Sequence, residues 1–137
     1  MRWQSILALA LPALFLVGCG ADTRYTLATA AIGELSDLDE SITAVKDDAT
    51  YQETLELFTA QVAVFKDLAD RSKPLERFKA STAKKLSKEI GNGERNLTSK
   101  VNSPTGYLKE NAEKHKKIQD LYKKILVSVE VLKTQGT

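Results

Sequence analysis

Apolar residues return along this chain in steps of three and four. Ala28, Ala31, Leu35, Leu38, Ile42, Val45 and Ala49 keep that spacing, which puts them on one stripe of an α-helix. Tyr51, Leu55, Phe58, Val62, Phe65 and Ala69 repeat it one residue out of phase. A continuous helix would have to absorb the shift. Thr50-Tyr51-Gln52-Glu53 has the form of a capping box, and Asp47 and Asp48 suit the positive end of a new helix. A turn is therefore predicted over residues 46–50. The alternative is one long helix with a stutter, because the KDDAT stretch holds neither glycine nor proline.

Pro74 suits the first turn of a third helix, so the second should end over residues 71–73. Leu75, Phe78, Thr82, Leu86 and Ile90 give that helix a weaker apolar face, which Gly91-Asn92-Gly93 interrupts. Each glycine costs about 1 kcal/mol in a helix interior relative to alanine, so a helix end or kink is expected there, with a short piece resuming at Leu97 and Val101. Asn102 to Gly106 reads as a loop around Pro104. A last helix is predicted from Tyr107 to Lys133, with Leu108, Ala112, His115, Ile118, Tyr122, Ile125, Val129 and Leu132 along one side. The expected fold is all-α: an elongated antiparallel bundle of three to four long helices, in which short connections make neighbours run up and down.

The beginning of the chain has a different pattern. Arg2 precedes a 12-residue apolar run from Ile6 to Val17, too short for a membrane span of roughly 20 residues. A basic start, a short apolar middle and a small residue, Gly18, describe a secretory signal peptide. Leu16-Val17-Gly18-Cys19 also resembles the lipobox of bacterial lipoproteins. The resemblance covers residues 1–19 only. It implies cleavage before Cys19, a diacylglyceryl group on its sulfur and an amide-linked acyl chain on the new N-terminus. Cys19 is the sole cysteine, so a disulfide is not open to it. Two or three acyl chains, at about 0.8 kcal/mol per buried methylene, make a durable membrane anchor. The alternative is an ordinary signal peptide cut near Ala21. The expected organisation is a signal peptide at 1–18, a lipidated tether at 19–23 and a helical bundle domain at 24–137. The expected location is the cell envelope. Gly20 follows the cysteine, whereas aspartate there can retain the lipoproteins it resembles at the inner membrane; the outer membrane is thus expected where the host has one.

Net charge is only +2, which conceals a polarised chain. From Cys19 to Asp70 three basic side chains stand against eleven acidic ones, and from Arg71 to Thr137 sixteen stand against seven. Lys84, Lys85 and Lys88, with Lys114, Lys116, Lys117, Lys123 and Lys124, form a candidate basic interaction face. Its expected partner is an acidic envelope protein or, alternatively, anionic lipid or glycan; export argues against nucleic acid. The opposing reading is that the acidic first half faces these lysines across helix boundaries, at ~0–1 kcal/mol per pair.

Chemistry-bearing residues are sparse. A carboxylate-bridged dimetal bundle needs two Glu-x-x-His pairs, and this chain has one histidine, His115, without a glutamate three residues before it. Covalent haem needs Cys-x-x-Cys-His, and the sole methionine, Met1, would leave with the signal. Neither a nucleophile elbow nor a phosphate-cradling glycine loop occurs. No metal, cofactor or catalytic group is expected, and the function expected is non-catalytic interaction or scaffolding. His115 itself reads either as a pH-sensitive contact or as a boundary histidine bonded to a carbonyl or water.

Overall fold

The computed structural model describes residues 23–75 and 80–134. The signal segment, Cys19, Gly20 and Phe78 lie outside the described residues. Among the described residues every regular element is a helix: α1 (Arg24–Thr43), α2 (Asp48–Ser72), α3 (Ala80–Asn102), α4 (Gly106–Glu110) and α5 (Ala112–Thr134). Four are long and one is a single turn.

Local chemistry sets the boundaries. Thr23 caps α1 by accepting from the Thr26 backbone N–H at 3.1 Å, and the Thr26 hydroxyl accepts in return from the Thr23 N–H at 3.1 Å. The predicted turn between the first two helices is present, so the single stuttered helix is excluded, but its cap sits earlier than expected. Asp47 is the N-cap: its Oδ1 accepts from the Thr50 N–H at 2.8 Å, while the Thr50 hydroxyl accepts from the Asp47 N–H at 3.1 Å. Thr50 thus occupies the third helical position rather than the cap. A carboxylate is a stronger acceptor at the positive end of a helix than a neutral hydroxyl. That preference moves the start by three residues.

Helix α2 ends at Ser72 as expected, but Pro74 lies in the turn that follows and not in the first turn of α3. Gly91 and Gly93 do not end or kink α3, which runs through both to Asn102. A Cβ on Gly93 would lie 3.3 Å from Cδ1 of Leu35 on α1, so packing between these helices offsets the poor helix propensity. The last helix is in two pieces. Asn111, at φ −123° and ψ 73°, breaks it between α4 and α5. Gly106, at φ +55°, starts α4 in a conformation that disfavours a Cβ.

The long helices alternate in direction along the chain. Ser41 meets Thr54 and Glu34 meets Gln61, so α1 and α2 are antiparallel. Val101 meets His115 and Thr98 meets Tyr122, so α3 and α5 are too. The connection from α2 to α3 crosses the diagonal, and these two helices do not touch among the described residues. Instead α1 packs beside α3, with Leu35 at Gly93 and Asp39 at Lys100. Helix α2 packs beside α5, with Asp48 at Lys114. Both side-by-side pairs are parallel. The bundle is therefore two antiparallel hairpins laid face to face, an arrangement that periodicity alone does not specify.

The core lies between the hairpins. Leu27, Ala31, Leu38, Phe58, Phe65, Leu97, Val101, Ile118, Ile125 and Val129 are essentially sealed from solvent, each large side chain contributing ~1.5–3 kcal/mol by leaving water. The second seam is rotated from its expected position: Leu55 and Val62 are half-buried, while Leu57, Gln61, Val64 and Leu68 are buried. Helix α2 has two neighbours, so its buried face spans more than one narrow stripe.

Candidate interaction surface

The lysines singled out by sequence divide into two environments. Lys84, Lys85 and Lys88 are exposed on the first turns of α3, and Lys116, Lys117, Lys123 and Lys124 are exposed on the outer side of α5. Lys114 is not among these exposed side chains. Its Nζ lies 2.6 Å from Asp48 Oδ1 and 2.6 Å from the Tyr107 hydroxyl, above the rings of Tyr51 and Tyr107 at 5.3 and 5.1 Å. The Lys114 hydrogen bond and then its charge, with a further hydrogen bond donated by the Tyr107 hydroxyl at 3.3 Å, keep the Asp48 carboxyl below its ordinary range, and the bonds of Lys114 to Asp48 and to Tyr107 raise Lys114. Lys114 joins α5 to the starts of α2 and α4. It holds the fold together at the end remote from Arg24.

Lys100 is likewise engaged, 2.8 Å from Asp39 on α1. Among the described residues, these two pairs, α1 to α3 and α2 to α5, join the acidic and basic halves through side chains as the opposing reading expected. For the seven exposed lysines, no ion-pair partner exists among the described residues. The structure does not gather all seven at one place. Lys84, Lys85 and Lys88 stand at the end of the bundle where α1 begins, since Leu86 and Ile90 border a cavity with Arg24 and Ala28. Lys116 and Lys117 stand near the opposite end, beside His115 and its contact with the last turn of α3.

His115 takes the second of its two predicted roles. Its Nε2 lies 2.5 Å from the Val101 carbonyl; a carbonyl can only accept, so this nitrogen donates. The bond satisfies a carbonyl at the C-terminal end of α3, which the helix itself leaves unpaired.

Sequence reasoning missed Arg95, which is exposed on the same side of α3 as Lys88. The two border a cleft of about 320 Å³ between α3 and α5, with Gly91, Glu94 and Lys133. Lys133 binds Glu94 at 2.7 Å and Glu130 at 2.9 Å, so it neutralises two carboxylates beside this cleft. A seven-residue step from Lys88 to Arg95, two helical turns, was the signal that could have found it.

A second cleft, of about 300 Å³, runs between α1 and α3 beside Leu35, Asp39, Asn92, Gly93 and Asn96. Both clefts are open and shallow. Among the described residues no group of three or more His, Cys, Asp or Glu side chains is placed to hold a metal ion. Nor is any described helix long and apolar enough to cross a membrane. No family model, curated protein or solved structure matches the chain.

Proposed function

We propose that this chain is a lipid-anchored, non-catalytic interaction protein of the cell envelope, which presents the outer surface of α3 and α5 to an acidic partner protein. The observation that carries the reading is the distribution of charge. The acidic first half folds into the α1–α2 hairpin and the basic second half into the α3–α5 hairpin. Seven lysines and Arg95 are left exposed with no carboxylate partner among the described residues. Supporting the anchor are the lipobox-like Leu16 to Cys19 and a capped helix start at Arg24. Residues 20–23 reach no more than about 13–14 Å when extended. Arg24 donates through Nε and Nη2 to the Leu75 carbonyl at 3.0 and 2.7 Å, fixing the first turn of α1 to the body. A domain so tethered stands close to its bilayer.

A second reading has its own observation. Lys84, Lys85 and Lys88 occupy the end of the bundle at which α1 begins, the end nearest the proposed bilayer, where anionic lipid or glycan would be within reach.

Substituting Cys19→Ser tests the anchor. The expected result is release of the bundle into soluble fractions, or accumulation of uncleaved precursor. A fully processed, fully membrane-bound variant would reject it. Flotation with anionic vesicles over a salt series separates the two readings. Binding that falls steeply as screening shortens from ~30 Å at 0.01 M to ~8 Å at 0.15 M favours the lipid, and absence of binding at low salt favours the protein partner.

A further inference from the structure

Opposite sides of the bundle carry complementary charge at matching height. On the α1–α2 side are Asp37, Glu40, Glu53 and Glu56, half-buried or exposed and without a cationic partner among the described residues. Asp37 lies three residues beyond Glu34, which contacts Gln61 of α2. Glu53 lies on the same edge of α2 as Leu57 and Gln61 by steps of four. Burial is the main reason the Asp37 carboxyl lies above its ordinary range, and repulsion from the neighbouring Glu40 charge adds to it. A cation brought against the pair relieves that repulsion.

On the α3–α5 side are Lys88, Arg95, Lys116 and Lys123. Lys88 and Arg95 border the cleft toward α5, and Lys116 and Lys123 each follow a residue that reaches α3, His115 and Tyr122. The contacts of Ser41 with Thr54 and Glu34 with Gln61 set Asp37 and Glu40 level with the middle of α2. The contact of Asp48 with Lys114 sets Lys116 to Lys123 beside the same stretch, and that of Thr98 with Tyr122 brings Arg95 to it. Arg95, Lys116 and Lys123 fall within about two helical turns, roughly 11 Å, of the acidic set along the axis, and Lys88 stands two turns beyond Arg95 toward the Arg24 end.

We infer that the acidic α1–α2 face of one copy docks against the basic α3–α5 face of a second copy standing beside it on the same membrane. This names the acidic partner of the proposed function, and it rests on the anchored reading for the common orientation of the copies. A two-fold dimer would set like charge against like. Front-to-back contact is heterologous and leaves a free face at each end, so it propagates as a row. Exposed ion pairs are individually weak, but confinement to one membrane raises the effective concentration at which several act together.

The test uses the full chain in neutral phosphatidylcholine vesicles, with donor or acceptor dyes attached through Ser103→Cys in the loop before α4. Unaltered copies should show energy transfer above the random-collision level at low salt, falling to that level near 1 M, where the screening length is about 3 Å. Copies carrying Arg95→Glu, Lys116→Glu and Lys123→Glu have two acidic faces; copies carrying Glu40→Lys, Glu53→Lys and Glu56→Lys have two basic faces. Each alone should lose about tenfold or more of the excess transfer, and the mixture should regain it. Melts verify folding, and the single pair Lys123→Glu and Glu53→Lys replaces any set that fails to fold. Random-level transfer by unaltered copies, or no recovery on mixing, overturns the self-contact. If the basic-face variant then still loses binding to an acidic partner, the proposed function stands without it; if it loses nothing, both are rejected.

Discussion

Glu34 is the least comfortable side chain in this protein. It is 2% exposed, and its Oε2 accepts from Gln61 Nε2 at 2.5 Å, while Gln61 Oε1 has no partner. Burial is the main reason its carboxyl titrates above the ordinary range; the Gln61 bond opposes that shift and the Asp37 charge adds to it. A raised folded value means the native state holds this proton more tightly than the unfolded chain. The favourable contribution is complete below the ordinary glutamate range and is lost as pH rises through the folded value. Glu34→Gln removes the charge and supplies a donor for Gln61 Oε1. It should raise stability at pH 7 by about 1–2 kcal/mol, the difference closing as pH falls through the raised Glu34 value into the ordinary glutamate range in a series of denaturant titrations. Lys114 offers a contrast within a single helix. Lys114→Ala should lower the melting temperature because it removes the bonds to Asp48 and Tyr107, whereas Lys116→Ala should leave it unchanged.

The two glycines of α3 separate propensity from packing. A Cβ on Gly91 meets nothing closer than Lys133 Cδ at 3.8 Å, whereas one on Gly93 meets Leu35 at 3.3 Å. Gly91→Ala should therefore stabilise by about 0.5–1 kcal/mol, visible as a raised melt, and Gly93→Ala by clearly less. Phe58 and Phe65 are fully buried in α2, so truncating either to alanine should cost about 3–5 kcal/mol in a chemical denaturation curve. The apolar steps from Ala28 to Ile42 and from Ile118 to Leu132 made α1 and α5 legible from sequence, because a buried stripe must recur at the helical period. The Gly91-Asn92-Gly93 break was misread because its compensation, Leu35, is 58 residues away in the chain. Asn111 was misread for the converse reason: the break it makes carries neither glycine nor proline. The crossing from α2 to α3 could not be read either, since periodicity defines each buried face without naming what covers it.

For the whole molecule, sorting by charge follows from chain order. Two consecutive hairpins form the two layers, so a sequence acidic in its first half and basic in its second becomes a bundle acidic on one side and basic on the other. The candidate lysines were legible as a group, but their division between the two ends of the bundle and the capture of Lys114 by Asp48 depend on tertiary contacts. The α5 lysines Lys116, Lys117, Lys123 and Lys124 are exposed and make no ion pair with the acidic half among the described residues, and exposed charges without a close partner add little to stability at 0.15 M salt. These four should then contribute little to folding and be free for a partner. The most direct measurement is the thermal melt, at 0.15 M salt, of the chain with all four replaced by glutamine, which removes their charge without setting new repulsion against Glu113 and Asp120 on the same helix. The expected melt lies within about 0.5 kcal/mol of the unaltered protein, as for surface substitutions away from structural contacts. A loss of about 2 kcal/mol or more would mean that these lysines pair with the acidic half to hold the bundle together, which would contradict their role as a binding face.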